Sequence, residues 1–283
     1  MKPNIETFIA CDASFEDATT VLFGAPFDST TSFRPGTRFA SRAIRADSFG
    51  LETYSPYQDK DLEDLAIFDA GDLELSFGRV DLALKDIKQQ TATILAAKKR
   101  PFMIGGEHLV TLGAFEAIFE QYPDIHVIQF DAHTDLRDTY LDAKLSHATV
   151  IRRVHDLIGD DKIYQFGIRS GERAEFKFAK EHTYLQKFDF TGLTEVVATL
   201  KEKKVPVYFT LDLDVLDPAA FPGTGTPEAG GVMFPELLQA ILEISALPIV
   251  GIDVNELSPQ YDLSGASTAL AGKIIREILL ATN

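Results

Sequence analysis

Asp131-Ala132-His133-Thr134-Asp135 sets three metal-grade ligands at alternate positions, directly after the apolar run Ile125-His126-Val127-Ile128-Gln129-Phe130. Alternate residues of an extended chain share a face. Asp131, His133 and Asp135 are therefore expected to point the same way where a strand exits. A second run, Val207-Tyr208-Phe209-Thr210-Leu211, ends in Asp212-Leu213-Asp214. Read as a continuing strand, it puts Asp212 and Asp214 on one face and Leu211, Leu213 and Val215 on the other. A third run, Pro101 to Gly106, ends in Gly105-Gly106, which reads as a turn, with Glu107 and His108 just beyond. A lone Asp-x-Asp is commonly a helix cap or a pair of surface acids, and a lone histidine at a helix start is commonly no ligand. His108, Asp131, His133, Asp135, Asp212 and Asp214 together, all at the ends of hydrophobic strands, are another matter. Four carboxylates buried in one place repel and do not all ionise without counter-charge. Two divalent cations balance them. Imidazole and carboxylate without sulfur suits Mn(II) or a similar borderline metal better than structural zinc. Two ions roughly 3.5–4 Å apart share a bridging hydroxide, a strong nucleophile at neutral pH, so the expected chemistry is hydrolysis.

The elements that must position these groups alternate. Strands are expected at Thr19–Ala25, Leu65–Ala70 (ended by Gly71-Asp72), Pro101–Gly106, 125–130, Lys162–Ile168, Leu185–Phe190, 207–215 and Pro248–Asn255. Helical spacing marks Ser41–Ser48 (Ser41 as its cap), Val80–Lys99, Leu109–Gln121, Ala148–Ile158, Arg173–Glu181, Thr194–Lys204, Pro235–Ser245 and Gly265–Leu280. Alternation of this kind predicts an α/β protein: a parallel sheet of about eight strands between two helical layers, with ligands at the carboxyl ends of the strands. No linker or low-complexity tract divides residues 1–283, which read as one domain.

The net charge of −16 argues against nucleic acid and anionic membranes as partners and suits a small cationic substrate. An acidic, soluble surface accounts for the same number. With one cysteine, Cys11, there is no internal disulfide and no thiolate metal site. An acid in Met1-Lys2-Pro3-Asn4-Ile5-Glu6 argues against a signal peptide, and no apolar run reaches membrane-spanning length. A cytoplasmic location is expected. His126, His155 and His182 lack ligand-like neighbours in the sequence and read as structural or exposed.

The motifs Gly105-Gly106-Glu107-His108, Asp131-Ala132-His133-Thr134-Asp135, Ser146-His147-Ala148-Thr149, Leu211-Asp212-Leu213-Asp214-Val215-Leu216-Asp217-Pro218 and Pro222-Gly223-Thr224-Gly225-Thr226-Pro227-Glu228-Ala229-Gly230-Gly231 together resemble the ureohydrolases, the arginase and agmatinase family, over nearly the whole chain. The resemblance implies a three-layer α/β/α fold, two Mn2+ per chain and a homo-oligomer, trimer or hexamer. It assigns His108 and Asp135 to one metal, His133 and Asp214 to the other, and Asp131 and Asp212 as bridges. It makes His147 a loop proton shuttle and Glu256, in Val254-Asn255-Glu256, the guanidinium-binding glutamate. A carboxylate is the natural partner for that planar donor fork. Asp135, His147 and Glu256 are then the catalytic residues. Glu107, where many relatives carry Asp, falls outside the ligand set.

Within such a family the substrate tail decides the enzyme. The loop Leu136-Arg137-Asp138-Thr139-Tyr140 lacks the Asn and Ser typical of arginases after the ligand motif and looks like agmatinases. Agmatine, cleaved to putrescine and urea, is the expected substrate. Asp138 or Glu228 would meet its ammonium, and Arg137 would point away. Arginase, guanidinobutyrase or another guanidino or formimino hydrolase are alternatives, since one side chain can change tail preference. A non-catalytic metal-binding scaffold would have lost ligands, whereas all six are present. A dimetal amidase or phosphoesterase is a third alternative; phosphate chemistry wants Arg or Lys beside the metals, and the motif strands supply none.

Overall fold

The computed structural model describes residues 6–283, so most of the N-terminal hexapeptide considered above lies outside it. Among the described residues ten strands run in chain order: β1 (Thr20–Gly24), β2 (Tyr54–Ser55), β3 (Lys60–Asp61), β4 (Ile67–Asp72), β5 (Arg100–Ile104), β6 (His126–Phe130), β7 (Ile163–Ile168), β8 (Tyr184–Lys187), β9 (Val207–Asp212) and β10 (Ile249–Asn255). β2 and β3 pair antiparallel in a small ribbon that the sequence did not announce. The other eight form one parallel sheet in the order β4-β1-β5-β10-β9-β6-β7-β8. The helices are α1 (Ala40–Ser48), α2 (Val80–Ala96), α3 (Val110–Gln121), α4 (Val150–Ile158), α5 (Arg173–His182), α6 (Leu193–Lys203), α7 (Phe234–Ile244) and α8 (Ala266–Thr282).

The central strands are apolar because both of their faces are covered. β6 and β9 are buried along their whole length. One face packs on residues of α2, α3 and α4, with Ala179 of α5. The other packs on α1, α6, α7 and α8. The three expected layers and the eight-stranded parallel sheet are therefore present. Among the described residues no helix is long and apolar enough to cross a membrane.

The order matters more than the count. β5 and β6 are separated in the sheet by β10 and β9, which come last in the sequence. The carboxyl ends of these four adjacent strands carry Gly105–His108, Asp131–Asp135, Asp212–Asp214 and Glu256, at the edge where open α/β sheets bind ligands.

Several local expectations differ. Gly71 and Asp72 are themselves the last two residues of β4, which begins at Ile67 and not at Leu65. Ser41 lies inside α1, buried, and its hydroxyl caps nothing. Gly105-Gly106 is not a turn forced by left-handed backbone. It is a close approach, since a Cβ on Gly106 would sit 2.0 Å from the Phe27 carbonyl oxygen. β9 stops at Asp212, and Asp214 stands in the 3-10 turn Leu213–Val215. The turn forms because Asp212 Oδ1 accepts the Asp214 N–H at 2.8 Å, an aspartate capping its own strand end.

Candidate metal centre

β6 delivers its ligands by a route other than simple alternation. It ends at Phe130, and Asp135 has φ 53°, in the left-handed region. Asp131 Oδ1 accepts the N–H of His133 at 2.6 Å, which curls the chain around the first carboxylate. His133 is then seated against Ser170, beyond β7. Asp214 Oδ1 accepts the Ala132 N–H at 3.2 Å, tying the end of β9 to that of β6. Gln129, inside β6, donates to Asp131 Oδ2 at 2.6 Å.

The six predicted ligands converge. His108 Nδ1 lies 3.0 Å from Asp131, 3.1 Å from Asp135 and 3.4 Å from Asp212. His133 Nδ1 lies 3.0 Å from Asp214 and 3.6 Å from Asp131. Two groups able to hold a cation result, His108-Asp131-Asp212 and Asp131-His133-Asp214, with Asp131 common to both.

The donors fit a metal pair on two grounds. The first is a tautomer. Thr210 Oγ1 gives its proton to Asp253 Oδ1 at 2.6 Å, so it can only accept from His108 Nε2, 2.8 Å away. In the neutral ring the Nδ1 lone pair then faces three carboxylates, a place for a cation or, without one, a proton. A ligand histidine held through its other nitrogen is arranged this way. The second is charge. Burial, with the charge of Asp131 beside it, pushes Asp135 up to about 7. Burial and the charges of Asp214 and Asp131 push Asp212 well up. His108 and His133 rise despite their burial, because carboxylates surround them. Asp131 moves the other way: against its burial, its hydrogen bonds to His108 and His133 hold it down. The cluster thus calls for protons or cations at Asp135, Asp212 and the two imidazoles.

Glu256 and His147 complete the cavity. Glu256, immediately after β10, is buried and accepts the His108 N–H through Oε1 at 2.7 Å. His147 caps the far side: its N–H donates to Thr30 Oγ1 at 3.0 Å and its Nε2 touches Ser32 Oγ at 3.2 Å. Glu107 accepts from Thr30 N–H and Oγ1 at 2.7 and 2.8 Å. It stays off the ligand set, as expected, and props the loop that seats His147. Burial holds the His147 imidazole down at about 4.

A cavity of about 250 Å³ opens over these groups, lined by His108, His133, Asp135, His147, Asp212, Thr226 and Glu256, and also by Tyr140, Arg137 and Glu172. Asp138 and Glu228, expected at the substrate tail, do not line it. Asp138 is exposed and bound to Arg153 at 3.0 Å, and the Glu228 carbonyl accepts from Arg169 at 2.8 Å. Arg137 was expected to point away but does line it, bonded to Glu172 at 2.7 Å and near Glu175 at 3.6 Å. Gln129, Thr210 and Asp253 escaped the sequence reading. Their signal was a buried polar residue inside an apolar strand, which must have a partner.

Candidate ligands at the ends of adjacent parallel strands, with one carboxylate common to two possible cation sites and a buried acid beside them, are the arrangement of a metal-dependent hydrolase built on an α/β/α fold. The family model "Arginase family" matches residues 18–281. The chain is 48% identical to the agmatinase of Bacillus anthracis over 279 residues, covering 97% of this chain and 96% of that one. It is 38% identical to the N(1)-aminopropylagmatine ureohydrolase of Thermococcus kodakarensis, covering 92% and 89%. The crystal structure of the agmatine ureohydrolase of Thermoplasma volcanium matches with TM-score 0.90 at 32% identity, covering 99% of this chain and 94% of that one. The chain belongs to the arginase family.

Proposed function

We propose that this chain is an agmatinase, hydrolysing agmatine to putrescine and urea with two Mn2+ per chain, and that residues 1–283 act as one ureohydrolase unit. His108, Asp131, His133, Asp135, Asp212 and Asp214 hold the metal pair, with Asp131 as a bridge. Bound there, the two cations supply an activated water and neutralise the charge that builds on the guanidinium carbon's substituents.

The chain's own residues do the rest. Glu256 presents a buried carboxylate to the guanidinium fork, a charge-assisted contact that orients the carbon over the metal ligands. The bond from that carbon to the alkyl nitrogen breaks, water oxygen ends on the carbon as urea, and the amine leaves with a proton. His147, kept neutral by burial, carries protons at Nε2 between the cavity and Ser32, 3.2 Å away.

The observation that carries the substrate choice is Arg137. It is the cation of the cavity wall, and Glu172 already holds it, with Glu175 close by. Its charge is matched, so an α-carboxylate on the substrate finds no free partner. An ammonium tail near Glu172 does not need one. The agmatinase relative at 48% identity supports the same reading. A cytoplasmic homo-oligomer, trimer or hexamer, is part of the proposal on family grounds.

The test is product release from agmatine, N(1)-aminopropylagmatine, arginine and 4-guanidinobutyrate with Mn2+ present. Agmatine should lead. A lead for arginine or guanidinobutyrate would keep the family and reject the substrate.

A further inference from the structure

α4 and α5 end side by side on the surface, away from the cavity. His155 lies in the last turn of α4, His182 closes α5, and Asp160 follows α4 directly after Gly159, whose φ of 76° turns the chain back. His155 Nε2 and His182 Nδ1 lie 2.8 and 2.7 Å from one and the same oxygen, Asp160 Oδ1. Neither histidine has a ligand-like neighbour along the chain, yet the three donor atoms lie within 4.8 Å of one another. We propose that His155, Asp160 and His182 form a peripheral site for one imidazole-preferring divalent cation of the Zn2+ type, which cross-links α4 to α5.

The rings are already set. His182 stacks on Phe178 with centroids 4.1 Å apart, and His155 meets the same ring edge-on at 4.8 Å. Little further rotamer freedom is lost when an ion binds. Both histidines stand at helix C-termini, where the backbone carbonyls favour a cation. Asp160 is exposed, so an ion can enter from solvent and water can complete its shell. Donors 2.0–2.1 Å from a tetrahedral zinc are roughly 3.3 Å apart. The two N···O separations need to open by roughly half an ångström, which side-chain torsions allow.

The donor set separates this site from the central one. Two imidazoles and one carboxylate favour zinc, while the carboxylate-rich centre suits manganese. The cross-link would join two segments that frame the cavity. α4 continues from the turn at His147–Thr149, and α5 opens beside Glu172. The proposal does not depend on which guanidino compound is the substrate.

The experiment uses Mn2+-loaded enzyme dialysed against micromolar Zn2+ in a large excess of Mn2+, followed by elemental analysis. Zinc displacing manganese at the centre is common to all variants and cancels. Wild type should retain about one zinc per chain more than the His155→Ala/His182→Ala double variant. Equal zinc in both overturns the site and leaves the trio a hydrogen-bonded cap. Asp160→Asn, at an exposed position, guards against misfolding of the double variant. It should weaken zinc retention at least roughly tenfold with the manganese content of the central site unchanged, and unaltered zinc retention would equally overturn the proposal.

Discussion

The backbone N–H of His108 donates to Glu256 Oε1 at 2.7 Å, joining the end of β5 to the end of the adjacent β10. The carboxylate proposed for the guanidinium is thereby fixed to the backbone of a residue proposed for the metal. Glu256 also has φ 67°, a left-handed conformation that costs a non-glycine residue about 1 kcal/mol or more. Such a position is held by its surroundings.

Glu256→Gln preserves that hydrogen bond, because the amide oxygen can take the His108 N–H. It removes the charge and faces the substrate's donors with an NH2. Losing one partner of a desolvated charged pair costs about 2–5 kcal/mol, or roughly 30- to several-thousand-fold in kcat/KM. Metal content should remain at the wild-type level. Full activity would make Glu256 a bystander; lost activity together with lost metal would make it structural.

Asp131 belongs to both triads. Asp131→Ala should therefore lower the metal content by more than one ion's share and abolish turnover. Elemental analysis of the reconstituted wild type should give two divalent ions per chain. One ion at full activity would sink the paired-metal mechanism.

Asp253 acts at one remove. It is fully buried and accepts from Thr210 Oγ1, which sits against His108 Nε2. Asp253→Asn can turn an NH2 toward Thr210, so that the hydroxyl proton points back at the imidazole and the ring loses its fixed tautomer. Apparent metal affinity should fall roughly 10–100-fold, with activity recovered at saturating Mn2+. Unchanged affinity in a metal titration would refute the relay.

Arg137, matched by Glu172 and Glu175, has no charge to spare for an α-carboxylate. Agmatine should exceed arginine in kcat/KM by at least about two orders of magnitude, since burying an unpaired carboxylate costs roughly 3 kcal/mol or more. Comparable steady-state values on the two substrates would reject the assignment.

His126, at the buried start of β6, supplies a pH dependence. Burial, with Lys203 adding to it, lowers its imidazole to about 4, against an ordinary value of 6.5. The folded-state value is depressed, so its contribution is present above pH 6.5. It is lost as the pH falls toward 4, where the unfolded chain takes up a proton that the native state resists. At pH 4.5 the loss is about 2 kcal/mol. Between pH 7 and 4.5 the Tm of His126→Gln should drop by roughly 3–5 °C less than that of wild type. Parallel pH profiles by scanning calorimetry would show that His126 does not titrate in this way.

The ligand motifs, the βα alternation and the eight-stranded parallel sheet were legible in the chain, because residue type and hydrophobic period are local properties. So was the meeting of His108, Asp131, His133, Asp135, Asp212 and Asp214: each follows an apolar strand, and parallel strands end at one edge. The insertion of β10 and β9 between β5 and β6 was not legible, because strand order depends on contacts between distant segments. Nor was the backbone at Asp135 and Asp214, where an alternating pattern gives way to turns built on aspartate side chains. The partners of charged residues were least legible. Only the folded chain decided that Asp138 answers Arg153, that Glu172 answers Arg137, and that His155 and His182 meet at Asp160. A long charged side chain reaches whatever lies within a few ångströms, and tertiary packing alone determines what that is.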